Sequence, residues 1–313
     1  MKRLAAAALL ALSAGATAQV PPDMAEAIRA SEEMDPTIGR IYAPLFPASA
    51  WEGVEIERDI AYDADPLQRL DVYAPETGGE ALPVLLFVHG GGFTRGDKHG
   101  EFYPDNVTLW AAKEGMVGVG INYRLAPANP WPAGAEDLAA AIAWTRANIA
   151  RFGGDPNRIV LFGHSAGANH VADYIGNPAV QGPEAAVVRG AVLLSPFYPE
   201  EPDGGHPHAY YGEDQDLNST SGSVRRLTAS SIPLFLADAE RDPVGMRAYA
   251  ANLRDGLCRT ASRCPRYLHL ADHNHFTEGM SLGTADRSLS GPLLAWMRAL
   301  PPVTAPPTGE IAQ

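Results

Sequence analysis

The chain has 313 residues, of which 46% are hydrophobic and 19% charged; 24 Lys+Arg stand against 37 Asp+Glu, a formal charge of −13. That length fits one large α/β domain or two ordinary ones, with ample material for a core. The acidity argues against a nucleic-acid binder and against docking on anionic membranes. No run of about 18 apolar residues occurs beyond the N-terminus, so no stable membrane insertion is expected in the body of the chain.

At the N-terminus, Lys2 and Arg3 precede an apolar run from Leu4 to Leu12, and Ala16-Thr17-Ala18 offers small residues for a signal peptidase. Residues 1–18 are therefore expected to be a cleaved signal peptide, and the mature protein to be secreted or periplasmic. Residues 20–50 are Pro-rich, with a helical patch from Asp23 to Glu33. Val54 to Tyr62 and Arg69 to Ala74 alternate apolar and polar residues, as half-buried strands do. Continuous apolar runs follow at Pro83 to Val88, Met116 to Tyr123, Arg158 to Phe162, Ala191 to Leu194 and Ile232 to Ala237, as in strands covered on both faces. Helical spacing marks Glu136 to Ala150, the residues after Ser165 and Pro243, and Ser290 to Leu300. Alternating strands and helices imply a mostly parallel sheet with helices on both faces. Residues 19–300 then form one domain, and a Pro-rich tail follows over 301–313.

One stretch breaks the alternation. Phe197 to Ser231 is rich in Pro, Gly, His, Asp and Ser, with little periodicity. A loop that long in a compact domain is usually a lid or binding segment. Together with residues 20–50 it is expected to cap the C-terminal edge of the sheet, where open α/β sheets bind ligands. Cys258 and Cys264 read as a local disulfide in an oxidising compartment, the alternative being two free thiols.

The chemistry centres on Gly163-His164-Ser165-Ala166-Gly167. This G-x-S-x-G follows a strand and opens a helix, the setting in which the motif lifts a nucleophilic hydroxyl clear of a sheet. A second match, Gly279 to Gly283, follows no strand and no His comes after it, so it is a chance occurrence. A serine needs a base and an acid to orient that base; where the serine sits on a strand–turn–helix elbow of this kind, the chain order is Ser, Asp or Glu, His. His269, His273 and His275 are the candidate bases; Asp238, Glu240 and Asp242 are the candidate acids. His89-Gly90-Gly91-Gly92-Phe93 follows a strand, and its main-chain N–H groups can converge with that of Ala166 as an oxyanion hole. A phosphate cradle would need G-x-G-x-x-G or a following Lys-Ser/Thr, and neither is present.

These segments, with Tyr123-Arg-Leu-Ala-Pro127, Trp131-Pro-Ala133, Phe152 to Pro156 and Ala239-Glu-Arg-Asp-Pro243, resemble the hormone-sensitive-lipase-related esterases of the α/β-hydrolase superfamily over residues 55–280. The resemblance implies the α/β-hydrolase fold with a small cap. It makes Ser165 the nucleophile, Asp242 the acid and His275 the base, with Gly91, Gly92 and Ala166 as oxyanion donors. Many relatives carry His-Gly-Phe where this chain has Asp272-His273-Asn274-His275-Phe276, and His directly before Phe favours His275 over His273. Tyr123, Arg124 and Asp137 are expected to brace the elbow. The implied reaction is hydrolysis of a small-molecule carboxylic ester through an acyl-enzyme, with no cofactor.

Three other readings are possible. An amidase or peptidase would use the same triad, and a non-catalytic binding protein could share the fold. His206 with His208, or His273 with His275, could ligate a metal, but no further cluster completes a site, so no metal is expected. Phe93, Trp131 and Tyr198 are candidate pocket residues, and short-chain or aryl esters are favoured because no broad apolar lid is visible.

Overall fold

The computed structural model describes residues 20–31, 33–197, 208–214, 216–260 and 264–301. The expected leader over 1–18, the tail beyond Pro301, Tyr198 and His206 lie outside the described residues. In chain order the helices are α1 (Pro22–Ala30), α2 (Gly39–Tyr42), α3 (Asp105–Lys113), α4 (Ala133–Asn148), α5 (Ala166–Gly176), α6 (Pro178–Gln181), α7 (Thr220–Thr228), α8 (Val244–Thr260), α9 (Thr277–Met280) and α10 (Ser290–Arg298). The strands are β1 (Val54–Ala61), β2 (Arg69–Pro75), β3 (Leu82–Val88), β4 (Val117–Ile121), β5 (Gly154–His164), β6 (Val188–Leu194), β7 (Leu234–Arg241) and β8 (Arg266–Asn274).

The strands form one sheet in the order β1-β2-β4-β3-β5-β6-β7-β8. β1 and β2 are antiparallel to their neighbours, and every later pairing is parallel. The apolar runs explain the middle of the sheet. In β3, Val84, Leu86 and Val88 face one core layer together with residues of α4 and α5, whereas Leu85 and Phe87 face the other, beside Val107 and Trp110 of α3 and Leu293 of α10. Burying each such side chain contributes about 1.5–3 kcal/mol.

The structure departs from the sequence expectation at particular elements. β5 and β6 begin several residues before their apolar runs, and β7 runs on through Arg241, placing Asp238 and Glu240 inside a strand. β8 matches no apolar run in the sequence, because as an edge strand with half-buried residues it has none. α3 also went unseen, because all of its residues but Lys113 are buried and no polar face marks it. Within the supposedly aperiodic stretch lies α7, built largely of Thr, Ser and Arg. It packs on α8, where Gly256 leaves room for Val224.

Residues 22–30 and 36–51 fold into short helices, the first of which packs against β8. Ile28 and Tyr42 are fully buried beside Met280 of α9, with Phe102, Tyr103 and Phe276 packed around them. Cys258 and Cys264 are joined by a disulfide at the end of α8. No helix among the described residues is long and apolar enough to cross a membrane.

Candidate active site

Ser165 stands between the last residue of β5 and the first of α5. Its φ of +54° and ψ of −124° lie outside the regions that non-glycine residues favour. Its N–H is held by Leu194 O at 2.9 Å. The flanking glycines are required by packing. A Cβ on Gly163 would lie 2.3 Å from Gly167 O, and one on Gly167 would lie 2.1 Å from Val88 O. The helix begins immediately after the serine, so its positive N-terminal end lies beside the hydroxyl.

The structure brings Asp242 and His275 together. Asp242 lies just past β7, His275 just past β8, and His275 Nδ1 is 2.8 Å from Asp242 Oδ1. The other carboxylate oxygen accepts from Ser195 Oγ at 2.5 Å and from Ala239 N at 2.9 Å. Asp242 is wholly buried and His275 nearly so. Burial pushes the Asp242 carboxyl up, but the bonds from His275, Ser195 and Ala239 outweigh it and hold the group below the usual carboxylate range.

The competing candidates are engaged elsewhere. Asp238 Oδ1 accepts from Tyr267 at 2.7 Å and faces His269 at 3.3 Å. Glu240 accepts the Asp272 N–H at 2.7 Å. His273 is fully buried, with Nε2 3.4 Å from Asp286 Oδ2, and Tyr42 donates to that same oxygen. That cluster ties the N-terminal helices to the end of the chain.

Two polar groups at this site escaped the sequence reading. Ser195 follows β6 at the carboxyl end of a central strand, a position that could have flagged it. Glu278 is fully buried, neither of its oxygens has a hydrogen-bond partner among the described residues, and Oε1 lies 3.4 Å from His164 Nε2. Burial, followed by the nearby charge of Asp242, raises its carboxyl well above the usual range. Donor atoms of His164, His275 and Glu278 lie within 4.8 Å of one another. Both His164 nitrogens are already hydrogen-bonded, so a metal there would have to displace Tyr103 or the main-chain oxygen of His275 from the ring.

The glycine loop after β3 approaches the elbow closely, since a Cβ on Gly90 would lie 3.0 Å from that of Ser165. Gly91 has φ +129°, and a Cβ there would strike Arg95 O at 1.9 Å, so only glycine fits. Tyr123 donates to His89 O at 3.0 Å, bracing the loop, while Arg124 Nε and N bind the two oxygens of buried Asp137. Phe93 is buried and stacks on Tyr210 at 4.8 Å, with His170, His208 and Tyr211 at its edges. Its ring therefore locks the loop to the described part of the 197–231 segment rather than lining an open surface. Trp131 is half-buried, and its main-chain N–H donates to Tyr210 O at 2.8 Å.

A mostly parallel eight-stranded sheet with a strained serine turn at its centre and a buried His–Asp pair at neighbouring strand ends is the α/β-hydrolase fold. Residues 70–180 match the family model described as BD-FAE. The chain is 29% identical over 219 residues to Esterase LipQ of Mycobacterium tuberculosis, covering 63% of this chain and 51% of that protein. It is 36% identical over 184 residues to phenmedipham hydrolase of Pseudarthrobacter oxydans, covering 56% of this chain and 34% of that protein. It thus spans between a third and about half the length of these curated relatives. Among solved structures, Esterase B from Lactobacillus rhamnosis superposes with a TM-score of 0.67 at 20% identity, covering 88% of this chain and 96% of that one. These relatives carry esterase and hydrolase names, and the likeness to the solved structures is one of fold.

Proposed function

We propose that the protein is a serine carboxylesterase acting on short-chain or aryl esters. The observation that carries this reading is the buried His275–Asp242 hydrogen bond, formed at the strand ends next to the strained Ser165 turn. Asp242 accepts from His275 Nδ1, which leaves Nε2 as the free base that takes the Ser165 proton. The serine oxygen attacks the ester carbonyl. The N–H groups of Gly91, Gly92 and Ala166 receive the negative charge of the tetrahedral intermediate. His275 then protonates the departing alcohol, and water activated by the same imidazole releases the acid. The names of the relatives support an ester as substrate.

Paired p-nitrophenyl esters and p-nitroanilides of rising acyl length test the proposal. Acetate and butyrate esters are expected to be hydrolysed faster than long-chain esters and than every anilide. Faster anilide cleavage would instead make the protein an amidase, and inactivity on all esters would favour a binding protein. Export after cleavage near Ala18 accompanies this reading, and N-terminal sequencing of the mature protein checks it.

A further inference from the structure

His164 occupies the variable position of the serine motif, and its ring is held at both nitrogens. Nδ1 lies 2.6 Å from Tyr103 Oη, and Nε2 lies 2.8 Å from the main-chain oxygen of His275. A carbonyl oxygen only accepts, so Nε2 carries the proton and Nδ1 accepts from the tyrosine hydroxyl. The rings of His164 and His275 pack with centroids 4.7 Å apart. His275 is thus fixed at two points, its ring by Asp242 and its main chain by the residue covalently joined to Ser165.

We propose that His164 is a positioning residue that sets the distance between nucleophile and base, acting as a strut from the serine turn to the main chain of His275. The proposal rests on the reading of Ser165, His275 and Asp242 as the working triad. The surroundings suit the role. Burial, reinforced by the proximity of His275, lowers the His164 pKa to about 3, so the ring stays neutral and keeps one N–H and one acceptor. The groups facing it are Tyr103, His275 and Glu278. Burial raises the Glu278 carboxyl well above the usual range, which weakens its pull on a second proton for the ring. Displacement of about 1 Å at a reacting pair can cost about 10²-fold in rate.

The test compares wild type with His164→Gln, His164→Leu, Tyr103→Phe and Ser165→Ala. The readouts are kcat and KM on p-nitrophenyl acetate, and labelling by a fluorophosphonate that reacts only with an activated serine. The amplitude of labelling counts folded sites; its rate per site reports the geometry of the triad. His164→Leu removes the donor and is expected to lower kcat and the per-site labelling rate about 10²-fold, with KM within about threefold. Gln offers an amide N–H in place of Nε2–H and is expected to recover most of that loss. Tyr103→Phe keeps the strut but frees its far end, and is expected to lower kcat several-fold.

A purely structural role would lower the amplitude and leave the per-site rate intact, which would overturn the proposal. So would a Gln variant as slow per site as the Leu variant. If His164→Leu does not fold, the Gln and Tyr103→Phe variants still decide: unchanged per-site rates in Tyr103→Phe, with a Gln variant that loses amplitude alone, reject the strut. Failure of the triad reading looks different, because Ser165→Ala would then retain hydrolysis and wild type would not be labelled.

Discussion

Ser165→Ala is expected to lower kcat/KM on p-nitrophenyl acetate by about 10⁴- to 10⁶-fold, while far-UV circular dichroism and the thermal midpoint stay close to wild type. On the proposed mechanism, the size of the loss follows from covalent catalysis. Without the oxygen no acyl-enzyme forms, and only binding and oxyanion stabilisation remain. The fold should tolerate the change because the turn is enforced by its neighbours. Leu194 O holds the Ser165 N–H, and contacts at Gly163 and Gly167 close the bend whatever the serine side chain does. Alanine in place of serine can also relax strain at φ +54° no better than serine does, so no large gain in stability is expected. Hydrolysis near the wild-type rate in a folded variant would refute the proposed nucleophile.

Asp242→Asn should cost about 10⁴-fold in kcat, and the reason is visible in the carboxylate's partners. One oxygen accepts from His275, and the other accepts from both Ser195 and Ala239. An amide has a single oxygen. If that oxygen faces His275, its NH₂ group confronts the Ala239 N–H and the Ser195 hydroxyl. If the amide turns, its NH₂ faces Nδ1 and forces the proton onto Nε2, where it blocks acceptance from Ser165. Either orientation loses, and the second is the better satisfied. Steady-state kinetics check the rate, and acid unfolding adds a separate reading. The native Asp242 carboxyl is held below the usual carboxylate range. Its contribution to stability is therefore fully present above the unfolded value near 4 and is lost as pH falls through the lower native value. The Asn variant should be less stable than wild type at neutral pH, with the gap narrowing towards the acid end. A gap that widens on acidification would contradict the assignment.

Legibility in the sequence followed physical signal strength. β3, β4 and the centre of β5 are continuous apolar runs and were readable as doubly covered strands. The serine turn was readable because its glycines are dictated by backbone approach. The proposed base and acid are not separable from their rivals by residue type alone. His273 and His275 differ only in what they meet, Asp286 for one and Asp242 for the other, and those partners lie 13 and 33 residues away along the chain. Ser195 and Tyr103 carry no motif at all, and His164 fills the variable position of one; their parts emerge only where strand ends and loops converge. α3 was hidden for the opposite reason, since burial on nearly all sides removes the polar face on which periodicity depends.

The strand order also sets an uneven mechanical footing for the chemistry. Ser165 rises from β5, flanked on both sides by parallel partners, whereas His275 follows β8 at the margin of the sheet. Amides around Leu161 to Gly163 should therefore exchange with deuterium only through global opening, and those of β8 through cheaper local excursions. Under mild denaturant the proposed base would leave its place while the proposed nucleophile still stood in position, a reversible off state that precedes unfolding.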